Sequence, residues 1–489
     1  MLSALIWGPA VGALLVGAWP QTASAERWRS LALAIAVAVL LGALALATQF
    51  DPSQATLAFP ERVAWIEPIG VSYALGLDGL SLPLVLLNGL LTAVAIGSSD
   101  RHVARPQLYY ALILALNASV TGAFLARDVL LFLLFYEIEL IPLYLLIAIW
   151  GGERRGYAAT KFLLYTALSG ACLLAAALGT VWASGAASFS YERLAALVPA
   201  LPVDVQVPLL GGFLLGFAIK TPFLPFHTWL PDAHVEASTP ISILLAGILL
   251  KLGTYGLLRF GVGLFPEAWQ LLAPGLAVWA AVSALYGALA AIAQTDMKQV
   301  VAYASIAHMG YILLAAAAAT PISLVAAIVQ TVSHGLISGL LFLLVGTIGE
   351  AVGTRQIGEL RGLLNPQRGM PLVGSLTVLG AMASAGIPGM VGFVSEFTIF
   401  RGSFASFPVP TLLCMVSTGL TAVYFLLLVN RVFFGRLPLD WDRQPSASPS
   451  QALPALVMAA VIVTLGVQPQ LLVQQIAFPI APSAVASYF

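Results

Sequence analysis

Apolar residues along this chain run almost unbroken for about twenty positions at a time, and such runs recur from one end to the other. Fourteen are present, near 2–19, 29–49, 77–97, 107–126, 129–150, 157–182, 207–230, 240–261, 269–293, 299–319, 321–349, 371–405, 409–434 and 453–476. A helix of about twenty residues spans roughly 30 Å, the thickness of bilayer hydrocarbon, so each run predicts a transmembrane helix. The 371–405 run is long for one crossing and predicts a helix broken in two. The pattern predicts an all-α polytopic membrane protein with about 14 transmembrane helices.

Composition sharpens that picture. The 489 residues are 60% hydrophobic and 9% charged, with a mean hydropathy of +0.96, which excludes a soluble globular protein. The formal net charge is zero, so no basic face for nucleic acid is implied. Cys172 and Cys414 each fall inside a predicted span and read as small packing residues, with neither a metal nor a disulfide role. Thr22-Ala23-Ser24-Ala25 mimics a signal-peptidase site, but no basic residue precedes the apolar stretch, which predicts an uncleaved first helix. Loops after odd-numbered spans hold 14 Lys and Arg residues against 5 after even-numbered spans, with Lys220 and Lys251 inside spans. The positive-inside rule then places odd loops in the cytoplasm and both termini outside.

Two spans contain breaks. One is Phe217-Ala218-Ile219-Lys220-Thr221-Pro222-Phe223-Leu224-Pro225, where each proline removes a backbone donor; the other is Ala385-Gly386-Ile387-Pro388-Gly389. A proline kink explains either alone. Together they fall in spans 7 and 12, an odd number of spans apart, so equivalent helices run in opposite directions. That predicts an inverted repeat whose paired broken helices mark an ion path. The expected organisation is helices 1–3 in residues 1–106, a first repeat in 107–262, an inverted second repeat in 263–436, and a loop with helix 14 in 437–489.

Ionisable residues sit within these spans. Glu137, Lys220 and Lys251 lie deep in apolar runs, where a charge costs roughly 3 kcal/mol on insertion scales, and such residues are functional candidates. The chain has 17 Arg and 4 Lys, yet both cations read as deep in a span are lysine, the cation that can lose its proton. Burial and a nearby carboxylate pull a lysine's proton affinity in opposite directions. At 6 Å and an effective dielectric near 20 such a pair is worth about 3 kcal/mol, so separating Glu137 from Lys220 acts as a switch. A structural ion pair is the plain alternative. Glu139, turned about 200° from Glu137 round the helix, is not expected to share that site. His308 and His334 lie in spans and suit a proton relay, although a lone buried histidine is often just a hydrogen-bonded core residue. His227, Asp232 and His234 resemble metal ligands by type but lack a further ligand and suitable spacing, so a hydrated funnel mouth or a structural loop is the better reading. No Walker-type loop, dinucleotide fingerprint, cysteine cluster or haem motif is present, so energy for uphill transport must come from an ion gradient or a partner.

The phrases Phe217-Ala218-Ile219-Lys220-Thr221-Pro222, His227 to His234 (HTWLPDAH) and Gln294-Thr295-Asp296-Met297-Lys298-Gln299 through Ala307-His308-Met309-Gly310 resemble the antiporter-like subunits of respiratory complex I. Ser333-His334-Gly335 and Gly392-Phe393-Val394-Ser395-Glu396-Phe397 carry the same resemblance, which covers roughly residues 107–434. The superfamily also includes Mrp-type sodium/proton antiporter subunits and membrane subunits of energy-converting hydrogenases, which stand as the alternative. Most relatives have lysine at the span-12 break; Glu396 there is similar to the chain M type of NADH-quinone oxidoreductase. The resemblance implies Glu137 and Lys220 as a pair, Lys251 as central lysine, His308 as relay and Glu396 as terminal carboxylate, with no counterpart for Glu139. It implies a bacterial inner (plasma) membrane location, and neighbours that include homologous antiporter-like chains and membrane lipids. It further implies no cofactor on this chain, with NADH, FMN, iron–sulfur clusters and quinone in partner subunits.

Overall fold

A backbone in hydrocarbon can satisfy its donors and acceptors only within itself, and the apolar stretches fold accordingly as helices. The computed structural model describes residues 1–18, 24–52, 57–437 and 449–476; most of the Thr22–Ala25 stretch lies at or outside those bounds. The chain opens with α1 (Leu2–Ala18) and α2 (Ala25–Ala47), then β1 (Ala58–Ile66) and β2 (Val71–Leu77), then α3 (Ser81–Ser98). Next come α4 (Pro106–Leu125), α5 (Val129–Ile138), α6 (Leu140–Trp150), α7 (Arg155–Ser184), α8 (Tyr191–Leu197), α9 (Val203–Lys220) and α10 (Trp229–Glu236). The second half holds α11 (Thr239–Leu244), α12 (Leu250–Gly256), α13 (Pro266–Ile292), α14 (Met297–Ala318) and α15 (Pro321–Val352). It closes with α16 (Pro371–Ser384), α17 (Val391–Phe404), α18 (Pro408–Phe433), α19 (Pro449–Val467) and α20 (Gln470–Val473). Among the described residues eleven helical runs, α5 with α6 and α11 with α12 each taken as one, are long and apolar enough to cross a membrane. The protein is a polytopic, predominantly helical membrane protein.

One element departs from the all-α reading. The segment 58–77, which the hydropathy pattern leaves as a connection, is an antiparallel hairpin with Ile66 opposite Val71 and Ala58 opposite Leu77. It turns through Gly70 at φ +71, where a side chain would meet the carbonyl of Ala187 at 2.2 Å. Ser72 N–H donates to Asp128 at 3.0 Å, and Asp128 also caps α5 by accepting from Leu130 and Leu131. The hairpin defines one face of the bundle. Residues 151–154, 236–239, 296–298 and 353–356 gather on the other, where Gly152 N–H meets the Glu236 carbonyl at 2.8 Å and Arg355 reaches Asp296 at 3.4 Å.

Both expected breaks are present, and backbone groups freed at each find new partners. Between α9 and α10 the Phe223 N–H reaches the Ala218 carbonyl at 3.0 Å, and the Trp229 indole donates to the Ile219 carbonyl at 2.9 Å. Between α16 and α17 the chain turns through Gly386 and Gly389 at φ +71 and +90, with Ile387 N–H bonded to the Met382 carbonyl at 3.1 Å. Two further interruptions go beyond the sequence reading. α5 gives way to α6 at Glu139, where Pro142 cannot donate to the Ile138 carbonyl. α12 is flanked by π-helical turns, Leu245–Leu249 and Leu257–Val262.

Candidate functional site

The two helix breaks at Glu139 and Lys220 face each other. Lys220, the last residue of α9, donates to Glu139, and both side chains are fully shielded from solvent. The expected pairing with Glu137 is thereby corrected. Glu139 keeps helical angles and lies about 200° round the helix from Glu137, so with Glu139 turned to Lys220 it is Glu137 that faces away. Lys220 also lies 4.7 Å above the Tyr136 ring, whose hydroxyl meets Ser169 at 2.9 Å. Glu137 points instead toward a lateral apolar groove with Trp65, Leu133 and Leu174, its carboxylate against the bare Cα of Gly170 and Oε1 without a partner.

Lys251 lies on α12, against the break of α9. A Cβ at Gly253 would touch Thr221 Oγ1 at 2.2 Å and Lys220 Cβ at 3.3 Å, so glycine there lets the two lysine-bearing helices meet. The Lys251 ammonium donates to the Ala246 carbonyl at 2.7 Å, across the inner π-turn, and stands 2.6 Å from His334 Nδ1 on α15. The His334 ring meets that of His308, on α14, edge-on at 5.6 Å between centroids. A void of about 10 Å³, close to the size of one water, is lined by both rings with Ser305, Ser338 and Ser384, and the Nε2 atoms of both rings are buried without a hydrogen bond. His308 Nε2 is 3.7 Å from Glu396 Oε1, and Thr418 donates to Oε2 at 3.1 Å. Lys251, His334, His308 and Glu396 are each less than 5% exposed. Four expected residues therefore form one buried file, Lys220 adjoins it, and Glu137 stands apart.

Sequence reading missed three groups. Lys298 and Arg259 count there as loop cations; the structure buries both at helix ends, 3% and 2% exposed. Lys298 donates to the Ala237 carbonyl at 2.8 Å and helps line a cavity of about 620 Å³ with Glu236, Asp296, Glu350 and Arg355. Below it His234 is stacked on Phe342 at 4.2 Å, completely buried, with neither ring nitrogen bonded. His227 faces Tyr286 at 3.1 Å while Asp232 binds Lys161 at 2.7 Å, so these two and His234 diverge instead of converging on one point. Glu139 is the third, because spacing along the helix separates it from Glu137 without saying which of the two faces Lys220.

A buried file of amine, two imidazoles and carboxylate can carry protons and has no group that does redox chemistry. The family described as NADH:quinone oxidoreductase/Mrp antiporter, TM matches residues 126–421, a span holding every member of the file. The chain belongs to this antiporter family. Two relatives bear the names NAD(P)H-quinone oxidoreductase chain 4 1 and chain 4 2. The first, from Synechococcus sp. (strain JA-3-3Ab), is 42% identical over 484 residues, covering 97% of this chain and 90% of the relative. The second, from Microcystis aeruginosa, is 42% identical over 443 residues, covering 89% and 79%. Among solved structures, a chain of respiratory complex I from Thermus thermophilus is similar at TM-score 0.89 and 30% identity, covering 99% of this chain and 98% of that one. A chain of the Mrp complex from Dietzia sp. shares the fold at TM-score 0.87 and 24% identity, covering 99% and 97%.

Proposed function

We propose that this chain is the proton-translocating, antiporter-like membrane-arm subunit of an NAD(P)H:quinone oxidoreductase, of the chain M type that Glu396 marks, so that it works as one subunit of a translocase. The observation that carries the reading is the continuous buried file Lys251–His334–His308–Glu396. On the positive-inside orientation the polar cavity above Lys298 opens to the cytoplasm and the hairpin face lies outside. Protons enter through that cavity, pass Lys298 and His234, load Lys251, and travel by His334 and His308 to Glu396 before release on the hairpin side.

The Glu139–Lys220 pair sets the field on this file. While paired, the two charges largely cancel at Lys251. Helices in contact lie 8–10 Å apart, so an unpaired Lys220 acts on Lys251 with about 2 kcal/mol at an effective dielectric near 20. Moving one charge against 100 mV needs about 2.3 kcal/mol, so the switch is of the right size to help drive a step. The energy that opens the pair comes from redox chemistry in partner subunits, which hold NADH, FMN, iron–sulfur clusters and quinone, and reaches this chain through neighbouring membrane subunits. An inverted repeat accords with the same picture, since α7 packs on α9 in the first half as α15 packs on α17 in the second.

The test is proton pumping by the complex reconstituted in vesicles, with Lys251→Ala and Glu396→Ala. Both should abolish translocation through this subunit and lower the number of protons moved per electron. Parent stoichiometry in both variants sinks the reading, and sodium-dependent transport favours an Mrp-type antiporter.

A further inference from the structure

The short helix that carries Lys251 is held at its outer end by a charge cluster outside the file. Arg259, in the outer π-turn, binds Asp78 at 2.6 Å and 2.8 Å and approaches the Tyr255 hydroxyl at 3.2 Å. Asp78 belongs to a different part of the fold. It precedes α3 and accepts from the backbone of Leu80 and Ser81 at 3.2 and 3.0 Å, which fixes its carboxylate to the start of that helix. Its other oxygen takes Arg127 at 3.1 Å, and Arg127 binds Glu192 at 2.9 Å. Both guanidinium groups lie over the Tyr191 ring, at 4.7 and 5.4 Å. Two cations and two anions close on each other, so the cluster is neutral. Burial alone pushes the Asp78 carboxyl up, but Arg259 and Arg127 outweigh it and hold it below the usual aspartate range, so Asp78 is ionised at working pH.

Two consequences meet at Lys251. π-turns are rare interruptions of the α-helical bond ladder and are frequent at functional sites, and Lys251 has one on each side. Pinning Arg259 to α3 fixes the outer turn and with it the seat of α12. Arg259 is also eight residues from Lys251, about 12 Å along the helix. An uncompensated charge at that distance changes a proton equilibrium about tenfold, or one pH unit, at an effective dielectric near 20. We propose that Asp78 is a positioning residue for Lys251: it holds Arg259 in the outer π-turn and cancels the guanidinium charge that Lys251 would otherwise feel. This rests on Lys251 being a proton carrier.

The groups facing Lys251 from packed elements are His334 on α15, His308 on α14, Lys220 on α9 with its partner Glu139, and His234 on α10, and none of them is altered in the variants. Proton pumping by the reconstituted complex is measured against pH for the parent, Asp78→Asn, Arg259→Gln and the double variant. Asp78→Asn should move the alkaline limb of the profile about one unit to lower pH. Arg259→Gln should move it the other way, and the double variant, neutral again, should return it to the parent position. A merely structural clamp lowers the amplitude in all three and leaves the profile in place, which overturns the proposal. Should Asp78→Asn not assemble, Arg259→Gln carries the test alone, and an unmoved profile there overturns the proposal too. Failure of the carrier reading shows separately, as full pumping by Lys251→Ala.

Discussion

Glu139 and Lys220 form a fully buried ion pair where two helix breaks meet, the carboxylate from the junction of α5 and α6 and the amine from the end of α9. A helix end leaves backbone groups without intrahelical partners, so placing a charge there adds polarity where the backbone is already polar. The arrangement also lets either side chain move without unwinding a continuous helix. Its companion Glu137, two residues earlier, has one oxygen aimed at no partner.

The two carboxylates are separated by substitution. Removing one partner of a buried pair leaves an uncompensated charge and costs roughly 3–5 kcal/mol. Glu139→Gln should lower the thermal stability of the complex and abolish pumping. Glu139→Leu combined with Lys220→Met should recover stability while pumping stays lost. Glu137→Gln should leave stability near the parent. If Glu137→Gln alone stops pumping and Glu139→Gln does not, the assignment by motif outranks the assignment by geometry.

Gly170 offers a second handle on Glu137. A Cβ there would lie 1.6 Å from Glu137 Oε1, so Gly170→Ala must swing the carboxyl out into the lateral groove. Labelling of Glu137 by a membrane-soluble carbodiimide, read by mass spectrometry of the digested chain, should rise severalfold. Unchanged labelling means that the carboxylate does not rest on Gly170.

The fold was largely legible because a bilayer leaves the backbone so few options. Run length marked the spans, and the prolines at 222, 225 and 388 marked the breaks near Lys220 and Glu396. The site was legible residue by residue but not in its pairing. Helical spacing sets Glu137 and Glu139 on opposite sides of the helix but does not say which side faces Lys220. Lys298 and Arg259 stand near span ends, where a hydropathy pattern cannot tell a buried side chain from one reaching water. The hairpin at 58–77 escapes the pattern because it is short, lies between apolar stretches and carries Glu61, Arg62 and Glu67.

Lys251 tests the difference between charge and proton exchange. Arginine retains the cation but does not release its proton in proteins. Lys251→Arg should therefore assemble and still pump at least tenfold more slowly than the parent, whereas a residue serving only as a fixed positive charge would tolerate the change. Pumping at the parent rate by Lys251→Arg removes Lys251 from the proton path.

The cluster on the hairpin face should make stability fall in acid. Asp78 is held below its ordinary value by Arg259 and Arg127 against the opposing effect of burial, and Glu192 is likewise held low by Arg127. A carboxylate depressed in the folded state adds stability above its unfolded value, near 3.9 for aspartate, and loses it as pH falls through the lower folded value. Thermal unfolding of the detergent-solubilised complex should therefore be flat across neutral pH and drop below about pH 4. Asp78→Asn should start less stable and show a shallower drop. An identical acid slope in that variant means that Asp78 is not depressed.

His234 separates a proton carrier from a packing residue. Its ring is fully buried, stacked at 4.2 Å and 8° on Phe342, and neither nitrogen has a bond. Packing alone would be served as well by an apolar ring, and burying two unpartnered polar atoms costs free energy that packing does not require. Its chain neighbours Val235 and Glu236 line the polar cavity, and Ser242, which donates to the His234 carbonyl at 3.2 Å, is 3.5 Å from the Lys298 ammonium. His234→Phe preserves the stack and removes only the nitrogens. The variant should assemble with unimpaired or greater stability and pump several-fold more slowly, with the deficit growing as pH rises and protons become scarce on the cavity side. Pumping at the parent rate across that range would leave His234 as packing and send protons to Lys251 by another route.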